Sequence, residues 1–184
     1  MKITLGNNFS YWLLIALAIL AFIFHLGELP MLADEATRSV VALELDLNAN
    51  LIVPTISGEL YFNKPPLYNW IILAFFKVFG YNEFILRLPS ILSLFAFAFT
   101  IYIFTKRQFN QKIAILSTAA FLSSGRILFY SSLLGHIDFF YSWITFLSFI
   151  IMYYGAKKER WLMMFICTYF LASLGFLSKG LPSI

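Results

Sequence analysis

Five apolar stretches decide most of what this chain can fold into. They cover about residues 11–29, 84–105, 113–131, 137–155 and 161–177. Each approaches the roughly 20 apolar residues that carry a helix across a bilayer. Backbone in hydrocarbon must satisfy its own hydrogen bonds, which leaves helices or closed barrels. A spanning strand needs only about 9–11 residues, so runs of this length select helices. The expected fold is therefore all-α, a polytopic transmembrane helical bundle of about five spans. Composition agrees: the chain is 61% hydrophobic and 12% charged, against about 25% charged in a soluble domain. A net charge of +4 does not point to nucleic acid, because the basic residues lie in short clusters between spans. The lone Cys167 rules out an intrachain disulfide and a cysteine metal site, and is expected to be a small buried hydrophobe. No small-residue cleavage pattern follows the first stretch, which reads as a retained anchor.

A sixth apolar stretch, residues 67–80, is shorter. As a helix it would be about 21 Å long against a hydrocarbon core of about 30 Å. It carries Lys77 and follows a Pro-Pro pair, so it reads as an interfacial helix that does not cross. With a cytoplasmic N-terminus, the clusters Lys106, Arg107, Lys112 and Lys157, Lys158, Arg160 then both face the cytoplasm, as the positive-inside rule requires. Full crossing would put both outside. Asp34, Lys64, Asp138 and Lys179 consequently share the outer face. Of the nine acids in the chain, Glu159 alone is assigned to the inner side.

The outer loop, about residues 30–83, holds the densest polar sequence. Residues 35–48 read as an amphipathic helix with Ala36, Val40, Leu43 and Leu47 on its apolar face. Asp34 would stand at its N-terminus and Gly58 in a turn. Asp34 and Glu35 admit two readings: an N-cap with an acid in the first turn, or a general base whose pKa is raised by partial desolvation. Lys64 before Pro65 and Pro66 is either an interfacial lysine or a phosphate site at a helix start. Asp138 opens an apolar span, and an acid at that depth is a functional candidate. Glu83 and Arg87, four apart, are expected to pair. Arg126 suits a headgroup contact. His25 and His136 make no metal-ligand cluster, although acids alone could hold a hard divalent cation. Trp12, Trp70, Trp143 and Trp161 suit interfacial belts.

The order of these motifs is similar to that of a known family. DEATR at residues 34–38, IVP at 52–54, GELYFNKPPLYNW at 58–70, GHIDFF at 135–140 and FLSKG at 176–180 resemble the N-terminal part of GT-C type membrane glycosyltransferases. These use polyprenyl-phosphate sugars and include the protein mannosyltransferases and the aminoarabinose lipid A transferases. The resemblance implies a sugar transferase with Asp34 and Asp138 as catalytic acids. It implies Glu35, Arg38, Lys64 and Lys179 as substrate-binding residues, Lys64 meeting the lipid phosphate. It also implies a polyprenyl-phosphate sugar donor, a lipid, glycan or protein acceptor, and juxtamembrane helices in the first outer loop. Two positions depart from the pattern. Asn63 stands where many relatives have an acid, so that position supplies no carboxylate to a metal. Thr37 stands where the lipid A type has arginine, with Arg38 one residue later, which weakens a lipid A assignment.

Family members are several times longer, so residues 1–184 are expected to be the N-terminal part of one GT-C-like transmembrane domain. The expected location is the bacterial plasma membrane, with the site on the outer, periplasmic side. Two other functions fit the sequence less well. A transporter or flippase would use Asp138 and Arg126 in a conduction path, but most charges lie at span ends. The other reading, an inactive fragment, has more weight for the 184-residue chain itself, because a GT-C site normally needs later spans.

Overall fold

The computed structural model of the chain describes residue 17 and residues 19–24, 26–32 and 34–180. Residues 11–16, 18 and 25 of the first apolar stretch, Trp12 and His25 among them, lie outside these residues. The part described is helical over residues 19–23. Seven helices follow: α1 (Asp34–Leu47), α2 (Leu67–Phe79), α3 (Glu83–Gln108), α4 (Gln111–Leu122), α5 (Gly125–Phe129), α6 (Asp138–Lys157) and α7 (Trp161–Lys179). Between α1 and α2 lies a minimal antiparallel hairpin, β1 (Thr55–Ile56) with β2 (Glu59–Leu60). The all-α expectation holds.

Local chemistry sets the helix limits. Asn82 caps α3 by accepting the Ile85 N–H at 2.9 Å, and Asn110 caps α4 through the Ile113 N–H at 3.0 Å. Each side chain satisfies one of the orphan donors at a helix start. Glu83 in the first turn of α3 and Lys106 and Arg107 in its last also suit the helix dipole. Helix α2 has 13 residues, about 20 Å, too short to cross alone. It ends at Gly80, whose φ is 91°.

Helices α3, α6 and α7 are long and apolar enough to cross a membrane. Half of the apolar window of α3 is buried, against 11% for α6 and 17% for α7, so α3 is the centre of the bundle. The third apolar stretch is not one continuous span. It breaks at Ser123 and Ser124, and the pieces on either side are bent by 43°. Serines compete for backbone hydrogen bonds and Gly125 adds chain entropy, so the helix yields there.

Two cores hold the fold. Val41, Leu45, Tyr68, Ile72, Phe76 and Leu86 join α1, α2 and the start of α3. Phe22, Leu26, Ile91, Leu94, Ile127 and Phe139 join the first helix to α3, α5 and α6. The buried face of α1 differs from the expected one. Val40, Leu43 and Leu47 are exposed, whereas Glu35, Arg38, Val41, Ala42 and Leu45 are buried. The inward stripe includes two charged residues because each has partners inside. Cys167 is half-buried and free, not fully buried as expected.

Charge divides between the two ends of the bundle. Gln108 bonds to Tyr154 at 2.9 Å and accepts from Tyr153 at 3.0 Å. This puts the loop after α3 beside the end of α6, and both basic clusters at one end. Asp138 and Lys179, with the packed loop of α1 and α2, occupy the other.

Candidate active site

The polar end is organised around a buried ion pair. Glu35 and Arg87 have fully buried side chains. Glu35 Oε1 accepts from Arg87 Nη2 at 2.8 Å and from the Leu32 N–H at 2.9 Å. Glu35 Oε2 accepts from Arg87 Nε at 3.1 Å and from the Gly135 N–H at 2.7 Å. Arg87 also donates to the carbonyls of Leu26, Leu29 and Pro30. A two-pronged, charge-assisted contact of this kind is strong and directional. Burial alone would raise the Glu35 pKa, but the Arg87 hydrogen bond, the two backbone N–H groups and the Arg87 charge bring it below the usual range. Gly135 packs tightly here: a Cβ would lie 3.2 Å from Glu35 Oε2 and 3.4 Å from the Leu86 carbonyl, so the ion pair would have to shift by a few tenths of an ångström to admit it.

This geometry corrects two expectations. Arg87 pairs with Glu35, 52 residues away, and not with Glu83 one turn back. Glu35, for which a raised pKa was one of two readings, is instead lowered and turned inward with both oxygens occupied.

One turn along α1, Arg38 is 2% exposed. Its Nη1 donates to Asn69 Oδ1 at 3.3 Å, its Nε is 3.8 Å from Asp34 Oδ2, and its guanidinium lies 5.3 Å from the Tyr68 ring centre. Arg38 Nε and Nη2 and Asn69 Nδ2 are buried donors without a hydrogen-bond partner among the described residues. Asp34 itself is 46% exposed. Tyr61 lies nearby, its phenol pKa pushed up by burial and then by the Asp34 charge. Tyr68 is fully buried, which drives its pKa up as well.

The Tyr68 hydroxyl donates to the His136 carbonyl at 3.3 Å, and Ser90 donates to the same oxygen at 2.9 Å. His136 therefore ties α2 and α3 to the turn before Asp138. Asp138, the first residue of α6, accepts from Lys179 Nζ at 2.6 Å. His136 Nδ1 is 3.7 Å from its other oxygen. Lys179 ends α7 and also lies 5.2 Å from the Tyr141 ring centre. The next residue, Gly180, abuts Pro65: a Cβ there would be 3.8 Å from the proline ring. The end of α7 thus reaches the turn that carries Lys64. Lys64 is half-buried and has no ion pair or side-chain hydrogen bond among the described residues.

Hence Asp34, Arg38, Lys64, Asp138 and Lys179 gather at one end of the bundle in two linked groups. Arg87, Asn69, Tyr68 and Gly135 were not anticipated. A cation in the second turn of an apolar span was a signal for Arg87, but nothing local named its partner. Among the described residues, no three His, Cys, Asp or Glu side chains are placed to hold a metal ion.

Residues 63–182 match the family described as dolichyl-phosphate-mannose-protein mannosyltransferase. The chain belongs to this mannosyltransferase family. The matched segment includes Lys64, Asp138 and Lys179, and the resemblance drawn from the motifs is borne out. Over 162 residues the chain is 30% identical to the undecaprenyl phosphate-alpha-4-amino-4-deoxy-L-arabinose arabinosyl transferase of Shewanella sediminis, covering 82% of this chain and 29% of that protein. The protein of the same description from Wigglesworthia glossinidia brevipalpis is 27% identical, over 99% of this chain and 34% of its own length. Crystal structures of ArnT from Cupriavidus metallidurans superpose with TM-scores of 0.83 in the apo state and 0.84 bound to undecaprenyl phosphate. They are 19% and 18% identical, cover 97% and 96% of this chain, and are matched over 34% of their length. That likeness establishes a shared helical membrane fold. The chain spans about a third of the length of these relatives. It is an integral membrane member of the mannosyltransferase family.

Proposed function

We propose that this chain supplies the donor-phosphate cations and two acids of a glycosyl-transfer site. The site uses a polyprenyl-phosphate sugar and a lipid, glycan or protein acceptor at the outer face of a bacterial plasma membrane. The observation that carries the reading is a set of uncommitted cationic donors beside two acids. Among the described residues, Arg38 keeps unpaired buried N–H groups and Lys64 has no partner, and both belong to the polar end that holds Asp34 and the Asp138–Lys179 pair. Buried donors without acceptors are costly, and a phosphate monoanion or diester would satisfy them. The descriptions of the relatives, which name undecaprenyl phosphate, support the same chemistry.

In this reading the acceptor oxygen or nitrogen attacks the anomeric carbon with inversion, and Asp34 takes its proton. The bond from that carbon to the lipid-phosphate oxygen breaks, and the phosphate leaves with its electron pair. Lys64 and Arg38 stabilise the charge that develops there. Lys179 holds Asp138 in place beside the Lys64 turn and is a further cation for the phosphate. Glu35 acts by holding α1 rather than by touching substrate. An apolar groove of about 250 Å³, lined by Ile71, Phe75, Leu92, Ala96, Phe140 and Trp143, starts two residues beyond Asp138. It gives an isoprenoid chain an apolar path away from the phosphate.

The test is sugar transfer from a labelled lipid donor by the full-length protein. Asp34→Asn is expected to lower turnover by about 100-fold or more, as for loss of a general base. Lys64→Ala should reduce both donor affinity and turnover. Unchanged turnover in both variants would refute these roles.

A further inference from the structure

The basic end of the bundle carries a second groove, far from the acids. Helices α3 and α6 run side by side, and the Trp143 indole donates to Thr100 Oγ1 at 2.9 Å between them. Beyond that contact they leave a groove of about 260 Å³, whose lining includes Phe99, Ile103 and Phe104 of α3 and Ile150 and Tyr154 of α6. Its polar end is Arg107. The walls are braced. Phe104 meets Tyr153 and Tyr154 edge-on at 5.9 and 6.2 Å, and the Tyr154 hydroxyl accepts from Gln108. The 26 residues of α3, about 39 Å of helix, separate this end from the polar loop.

Charge at this end of the bundle is one-sided. Lys106, Arg107, Lys112, Lys157, Lys158 and Arg160 gather there with one acid, Glu159. None of these six cations forms an ion pair among the described residues. Lys106 and Lys157 lie over the rings of Tyr102 and Tyr153; Arg107, at the groove itself, is exposed. An apolar slot with a free guanidinium at its mouth is complementary to a molecule with an apolar chain and an anionic head. A soluble anion would use the charge and leave the slot empty. A zwitterionic lipid would bring its own ammonium against the cluster.

We infer that this groove binds an anionic phospholipid, with one acyl chain between α3 and α6 and the headgroup phosphate on Arg107. Basic pockets between spans at a cytoplasmic face suit such lipids. The inference is independent of the glycosyl-transfer reading, because the lining of this groove shares no residue with that site or its apolar groove.

The experiment is native mass spectrometry of the full-length protein in detergent. It is titrated with phosphatidylglycerol, with phosphatidylethanolamine of the same chains, and with water-soluble glycerol phosphate. Wild type should retain phosphatidylglycerol in preference to the other two. Arg107→Gln should lower that retention about fivefold, as expected for one cation near an anionic headgroup, and leave phosphatidylethanolamine unchanged. Lys112→Gln, of equal charge but outside the groove, should lower it less. Ile150→Trp, which fills the slot, should reduce phosphatidylglycerol retention. A photo-crosslinking residue in place of Ile150 gives a second readout should that variant misfold, and it should capture lipid. Equal retention of the two phospholipids by wild type would overturn the proposal. So would equal losses in the Arg107 and Lys112 variants, glycerol phosphate bound as well as the lipid, or a crosslink to protein instead of lipid.

Discussion

Glu35 shows how one side chain can hold a site without entering its chemistry. Its carboxylate takes two contacts from Arg87 and one each from the amides of Leu32 and Gly135. Truncating one partner leaves the other charged and buried. Arg87→Ala should therefore destabilise the protein by about 3–5 kcal/mol, seen as a lower midpoint in detergent-solubilised thermal unfolding. A double replacement, Glu35→Leu with Arg87→Met, should cost less than Arg87→Ala, since no buried charge then lacks a partner. The pH dependence follows from the depressed Glu35 pKa. Its stabilising contribution is complete above the unfolded carboxylate value of about 4.3 and is lost as pH falls through the lower folded value. Unfolding midpoints measured from pH 7 down to pH 3 should fall in wild type and fall less steeply in Glu35→Gln.

Helix positions were legible where the signal was local. Apolar runs located α3, α6 and α7, asparagine caps marked helix starts, and shortness set α2 apart. The inward face of α1 was not legible. Its buried side carries Glu35 and Arg38, whose partners Arg87 and Asn69 are 52 and 31 residues away. Counting apolar positions along α1 therefore favours the face that is in fact exposed. The site was legible to the same degree: Asp138 and Lys179 stood out singly, but only folding shows them as a pair 2.6 Å apart. The hairpin of α6 and α7 depends on a small residue. A Cβ on Gly155 would lie 2.5 Å from Met164 Cβ, and a β-carbon cannot rotate aside. Gly155→Ala should force the two helices apart and cost about 1–3 kcal/mol, measurable as reduced thermal stability. Met164→Ala would not relieve the clash, because alanine keeps the β-carbon.

At the scale of the whole molecule, the described chain has a basic end and an end rich in acids, joined by apolar helices. That arrangement makes the orientation expected from the basic loops testable. In a Cys167→Ser background, single cysteines at Phe62 and at Phe109 should respond oppositely to an impermeant thiol reagent on intact cells. The Phe62 site should label and the Phe109 site should be shielded; labelling at Phe109 would reverse the orientation. The bond from Gly135 to Glu35 closes over 100 residues, and this separation has a consequence for biogenesis. At about 5–20 residues per second, roughly 5–20 s of synthesis separate the two groups. Throughout that interval the first loop emerges with its carboxylate incompletely satisfied, and α1 gains its last amide contact only when the chain returns after α5. Cellular proteases that sample nascent membrane proteins would therefore meet an open first loop before this contact forms and a closed one after it.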